Sequence, residues 1–161
     1  MASITRSSRI PAPADRVWER VTSPEGINDE LRPVLRMTVP ERLRGIGIGD
    51  VPIGEVAGRS WILLFGLLPV DYDDLRIVEL EPGRRFLERS SLLTMSQWQH
   101  ERIVEPVGDD ECEVTDRITF KPRQALAAIG GERVARAILE RLFAHRHRRL
   151  ARRFAEDPSG I

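Results

Sequence analysis

The chain has 161 residues, 41% hydrophobic and 31% charged, with a formal net charge of zero. That length fits one domain, expected over 1–161, with a core of its own, and the composition excludes a disordered chain. Zero net charge argues against a nucleic-acid protein, which usually carries a basic excess. Among 25 basic residues only Lys121 is a lysine, so arginine usage reflects a GC-rich, bacterial genome rather than phosphate binding. Cys112 is the lone cysteine, which excludes an intramolecular disulfide and a cysteine-based zinc cage. No apolar run is long enough to span a bilayer and the first residues have no signal-peptide character, so a soluble, cytoplasmic protein is expected.

In chain order, residues 3–10 read as a strand. Pro13 and Asp15 then suit the first turn of a short helix carrying Val17, Trp18 and Val21 on one face. Ser23 caps a second short helix, with Ile27 and Leu31 one turn apart, and Pro33 ends it. Strands are expected over 34–40, 52–64, 70–80, 84–91, 95–107 and 111–121, divided by Gly, Pro and Asp turns, as an antiparallel meander. The run Gly45 to Gly49 lacks the spacing and the following helix of a nucleotide fingerprint and reads as a loop. Trp61 to Leu68 is apolar on both strand faces, which implies a segment covered by the short helices, a cavity mouth or a dimer surface.

After a short segment over 123–129, a long helix is expected from Gly131 to Glu156. Steps of 100° place Ala135, Ile138, Leu139, Leu142, Phe143, Leu150 and Phe154 on one face, with Arg141, His145, Arg148 and Arg152 opposite. Arg146 falls inside the apolar arc. A buried arginine needs a carboxylate, with Asp116 the expected partner and Glu88 the second. His145 and His147 point in different directions and read as interfacial or exposed, a poor metal pair.

The order of elements resembles the START-like, helix-grip (SRPBCC) superfamily. Ile10-Pro11-Ala12-Pro13 with Val17-Trp18, Trp98-x-His100-x-Arg102 followed by Val114-Thr115-Asp116, and Leu142-Phe143-x-His145-Arg146-His147 carry the resemblance, the last to bacterial ligand-binding members. It implies an α+β helix-grip fold: a seven-stranded curved antiparallel sheet around the C-terminal helix, with two short helices after strand 1. A cavity between sheet and helix then takes lipids, polyketides or other apolar molecules. The superfamily holds carriers and enzymes, so the fold alone selects no chemistry.

Strand alternation puts Trp98, His100, Arg102 and Val104 on one face, and Cys112, Val114, Asp116, Ile118 and Phe120 on one face of the next strand. The 108–110 turn brings Arg102 and Asp116 together. The expected ligand-binding set is Trp98, His100, Arg102, Asp116, Ile118, Phe120, Ile138, Leu142 and Arg146. As a buried salt bridge with Arg146, the trio Arg102, Asp116 and His100 would only fix the helix over the sheet. As the polar end of a pocket they would orient a ligand, and His100 with Asp116 would be the catalytic candidates of a cyclase or aromatase. Asp71, Asp73 and Asp74 read as a solvated acidic knot, and Glu101 and Glu105 as outer-face residues. The leading expectation is a carrier of a small lipophilic molecule, not an enzyme, needing no cofactor or metal. A cyclase or aromatase and a filled protein-interaction module, with Trp61–Leu68 against a partner or a second copy as a homodimer, are the alternatives.

Overall fold

A computed structural model describes residues 1–159, so Gly160 and Ile161 at the end of the expected 1–161 domain lie outside the described residues. Strand β1 (Ala2–Ile10) leads into helices α1 (Ala14–Thr22) and α2 (Pro24–Leu31). Then come β2 (Leu35–Met37), two short 3₁₀ turns, β3 (Val56–Leu64), β4 (Leu68–Glu81), β5 (Arg85–Leu92), β6 (Met95–Pro106) and β7 (Cys112–Pro122). A one-turn helix α3 (Gln124–Ala127) precedes α4 (Gly131–Glu156). The seven strands form one antiparallel sheet in the order β1-β7-β6-β5-β4-β3-β2. Only the first strand crosses over, because α1 and α2 carry the chain from one edge of the sheet to the other.

The expected strands 34–40 and 52–64 are shorter than the pattern implied. Pro40 and the glycines of 45–49 divert the intervening chain into the two 3₁₀ turns instead of extending either strand. The tip between β3 and β4 closes over Phe65 and Gly66, both with positive φ (52° and 74°), a hairpin turn that favours glycine at the second position. Bulges interrupt β3 and β4 between Val56 and Gly58, Ile62 and Leu63, and Ile77 and Glu79, and help to bend the sheet.

The junction of α1 and α2 sets the direction in which the second helix leaves the first. Ser23 Oγ accepts from the Gly26 N–H at 3.0 Å and donates to the Arg20 carbonyl at 2.9 Å. A Cβ at Gly26 would overlap that carbonyl, so glycine allows the second helix to turn tightly off the first. We expect Ser23→Ala to lose about 1 kcal/mol in urea unfolding, the usual value of an N-cap.

Helix α4 packs on β1, β7 and α2. Its grip divides the interior into two apolar clusters. One joins Ile10, Val17, Val21, Phe86, Val104, Cys112, Val114, Leu150 and Phe154. The other holds Ala2, Ile4, Ile118, Phe120, Leu139 and Phe143. Between them β6 contributes His100 and Arg102, β7 contributes Asp116, and α4 contributes Arg146 and His147, all buried. The same alternation that points Val104 and Trp98 inward also points the intervening charged residues inward. A polar layer is thereby sandwiched between two apolar ones.

Candidate ligand-binding site

The polar layer is built on paired register. Arg102 lies opposite Asp116 across β6 and β7. It donates from Nε to Oδ1 at 2.7 Å and from Nη2 to Oδ2 at 2.6 Å. Its other face donates to both oxygens of Glu30, at 2.8 and 3.0 Å. Asp116 also accepts from His100 Nε2 at 2.8 Å and from His147 Nε2 at 2.9 Å. One carboxylate thus receives four hydrogen bonds. Burial raises its pKa, but Arg102 and His100 outweigh that and hold it well below the ordinary aspartate value.

Arg146 is tethered, but to neither expected carboxylate. Its Nε donates to Glu30 Oε2 at 2.9 Å. Asp116 is already saturated, and α2 slides Glu30 between the helix and the sheet, where it joins Arg102 and Arg146. Burial opposes ionisation of Glu30, yet the two guanidinium groups keep its pKa below the ordinary glutamate value. Glu30 is the residue the linear pattern hid: nothing local on α2 marks it, and its partners are 72 and 116 residues away.

His147 corrects a second expectation, since it is fully buried and its Nδ1 meets Ser8 Oγ at 2.8 Å. The helix is gripped by the sheet on one side and by α2 on another, so its buried arc is wider than one apolar face. His145 stays at the boundary, its Nε2 against the Arg32 carbonyl at 2.6 Å.

A cavity of about 840 Å³ lies between sheet and helix. Apolar side chains dominate its wall, among them Ile27, Leu35, Ile62, Leu75, Phe86 and Leu142. Of the expected ligand-binding residues, Trp98, His100, Ile138, Leu142 and Arg146 line it. Arg102, Asp116, Ile118 and Phe120 do not: they are packed behind the wall, because their neighbours on α4 press directly onto β1 and β7 there. Ile138 is 58% exposed and lines the cavity with Ile129 and Val134, while the neighbouring Ala135 and Leu139 pack on β1 and β7. From the apolar run, Ile62 and Leu64 face the cavity, beside Ser60. Trp61 packs edge-on against Tyr72, and Phe65, Leu67 and Leu68 are exposed at the hairpin tip.

The acidic knot is only partly solvated, with Asp73 buried. In β4 alternate residues face opposite sides, so Asp71 and Asp73 turn into the cavity wall and only Asp74 turns out, to a bidentate pair with Arg59. Asp71 accepts from the Leu93 N–H at 2.8 Å and from the Thr94 hydroxyl, which fastens the β5–β6 turn. Asp73 is buried against Glu88 and Ser90. Burial first, and then the Glu88 charge, push its pKa well above the ordinary aspartate value. Glu88 accepts from Ser90 Oγ at 2.7 Å and Trp98 Nε1 at 3.0 Å, and its other oxygen stands 3.6 Å from His100 Nδ1. Strand alternation over 70–80 was the signal that could have found Asp73.

His100 therefore sits between two carboxylates, with Phe86 and Phe143 edge-on to its ring. Burial works against its charged form, but Asp116 and Glu88 prevail and raise its pKa above the ordinary histidine value. Three carboxylates (Glu30, Glu88, Asp116) then face two guanidinium groups (Arg102, Arg146) and the His100 ring, which they bias toward its charged form. Among the described residues no group of three His, Cys, Asp or Glu side chains is arranged to hold a metal ion.

The shifts fix the pH profile. Depressed pKa values at Glu30, Glu88 and Asp116 give stability that is present above the ordinary values of 4.5 and 3.8 and is lost as pH falls through the folded ones. The raised His100 value gives stability that is complete below 6.5 and is lost as pH rises through the folded one. Asp73, also raised, costs stability progressively as pH climbs above 3.8. The melting temperature should therefore peak in mildly acidic buffer, about pH 5–6, and decline toward both about pH 3 and about pH 9. A profile still rising at the alkaline end would contradict this charge assignment.

The strand order, the curved sheet and the long gripped helix are those of the START-like, helix-grip class. Solved structures share it. A Chromobacterium violaceum protein, CV1439, superposes with a TM-score of 0.70 at 16% identity, covering 94% of this chain and 96% of that one. The Zhui aromatase/cyclase from Streptomyces sp. R1128 gives 0.67 at 17% identity, covering 99% of both chains. A START superfamily protein from Mycobacterium smegmatis gives 0.64 at 10% identity, covering 92% of this chain and 96% of that one. Within that class, residues 8–154 match the family described as Domain of unknown function (DUF8410), and the chain belongs to it. No curated protein matches the sequence. Among the described residues no helix is long and apolar enough to cross a membrane.

Proposed function

We propose that this protein binds and carries a small, largely apolar molecule in the cavity between sheet and C-terminal helix. The observation that carries this reading is the cavity itself: about 840 Å³, lined mainly by apolar side chains, with polar groups that include Asp73, Glu88 and His100 on adjacent strands. Ligand pockets have this size and character. The helix-grip fold shared with the START superfamily protein and the aromatase/cyclase supports it. A filled interaction module would have no use for such a space.

A second reading, cyclase or aromatase chemistry, has one observation in its favour. His100 lines the cavity with Asp116 behind it, as a general base and its orienting carboxylate would be placed. However, Asp116 and Glu88 shift His100 toward its protonated form, the opposite of what a general base needs, whereas carriage asks no proton transfer of it. Carriage is therefore the preferred function.

Native mass spectrometry of freshly purified protein, with solvent extraction of any adduct, tests it. We expect a co-purified small molecule or, in the empty protein, saturable binding of 1-anilinonaphthalene-8-sulfonate that is lost in the cavity-filling variant Ile62→Trp. Neither an adduct nor a dye site sensitive to Ile62→Trp would sink the proposal.

A further inference from the structure

The cavity wall has one unanswered polar atom. Asp73 is 5% exposed, faces the cavity from β4 opposite Ser60 of β3, and its Oδ1 has no hydrogen-bond partner. Among the described residues it is the only buried side-chain polar atom in that state. The other buried charged groups of the cavity wall are answered: Glu88 by Ser90 and Trp98, His100 by Asp116, Arg146 by Glu30. A buried acceptor left unpaired is rare in folded proteins and calls for an explanation. Because burial and Glu88 favour the neutral carboxyl, Asp73 can lend its proton toward Glu88 and leave Oδ1 as a bare carbonyl-type acceptor.

We propose that Asp73 is the recognition residue of this cavity, its Oδ1 accepting a hydrogen bond from a hydroxyl group borne on an otherwise apolar, ring-sized ligand. This rests on the carrier reading and adds the chemical class of what is carried. A hydroxyl fits the charge pattern better than an ammonium or a carboxylate. An ammonium would share the cavity with the Arg146 guanidinium and with His100, whose charged form its neighbours favour, and a carboxylate would face the acids Asp73 and Glu88. A neutral donor meets the orphan oxygen and disturbs no existing ion pair.

The test is a fluorescence titration of the full chain with three probes sharing one ring system: 2-hydroxyanthracene, 2-methoxyanthracene and 9-(aminomethyl)anthracene. The methyl ether keeps the skeleton but cannot donate. We expect the hydroxyl probe to bind about tenfold more tightly than the ether. Asp73→Leu should bring the hydroxyl probe down to the affinity of the ether while leaving the ether unchanged. Asp73→Asn, which retains a carbonyl acceptor, should keep most of the preference. A melting curve for each variant verifies that it is folded. Equal affinities for hydroxyl and ether in the unmodified protein, or a preference that survives Asp73→Leu, would overturn the role of Asp73 and leave the carrier reading standing. Tighter binding of the ammonium probe would overturn the hydroxyl class. Failure of all three probes to bind would bring down both proposals together.

Discussion

Arg102→Met should destabilise the protein by about 3–5 kcal/mol, read as a lowered urea midpoint, because it leaves two carboxylates buried without their shared cation. Arg102 is fully buried and holds Glu30 and Asp116 bidentately at once. A methionine matches its stem but supplies no donor. Arg146→Met should cost clearly less, since Glu30 keeps both bonds from Arg102 when Arg146 is gone. A double-mutant cycle adds a sharper reading: Arg146 should couple to Glu30 and only weakly to Asp116. Equal losses from the two arginine variants would mean that the polar layer is not organised around Arg102.

Asp73→Leu carries the second large effect, in the opposite direction. Removing a buried acceptor that has no partner should stabilise the protein by about 1–2 kcal/mol in urea unfolding near neutral pH. The sign comes from linkage. The folded pKa of Asp73 is raised, so above 3.8 the unfolded chain gives up that proton more readily and stability falls with pH. The gain on substitution should accordingly grow from acidic toward neutral pH, and the alkaline decline of the melting curve should become shallower. A loss of stability on substitution would show that Asp73 is held by interactions strong enough to make it a structural residue. A stabilising replacement at a cavity wall is what a site kept for binding, at some expense in stability, would display.

The polar layer also accounts for why an α4 with so many arginines still docks on a sheet. Leu139 and Phe143 enter one apolar cluster, Leu150 and Phe154 the other, and Arg146 and His147 fall at the level where β6 and β7 present Arg102 and Asp116. Sliding the helix by one turn, about 5.4 Å, would set charges against Phe120 or Val114. Register is therefore fixed by both attraction and misfit. Buried ionic groups specify an arrangement more reliably than they stabilise it.

Much of this was legible in the linear sequence. The period of two in 95–107 and 111–121 already placed His100, Arg102 and Asp116 on one face, and the period of 3.6 after Gly131 already marked Arg146 as an intruder in an apolar arc. Those patterns are local, and local sterics fix on which side of an element a residue lies. What lies across from that side is not local. Glu30 became the partner of Arg146 because the tight Ser23–Gly26 junction folds α2 back under α4. His147 became buried because two elements grip the helix instead of one. Ile118 and Phe120 left the cavity wall because Leu139 and Phe143 of α4 pack directly on them, while Ile138, one residue along the same helix, turns away and is left exposed. The volume of the cavity and the unpaired oxygen of Asp73 belong to the same category. Periodicity determined the faces; the separations between packed elements, set by the whole core at once, decided which faces meet and which enclose a space.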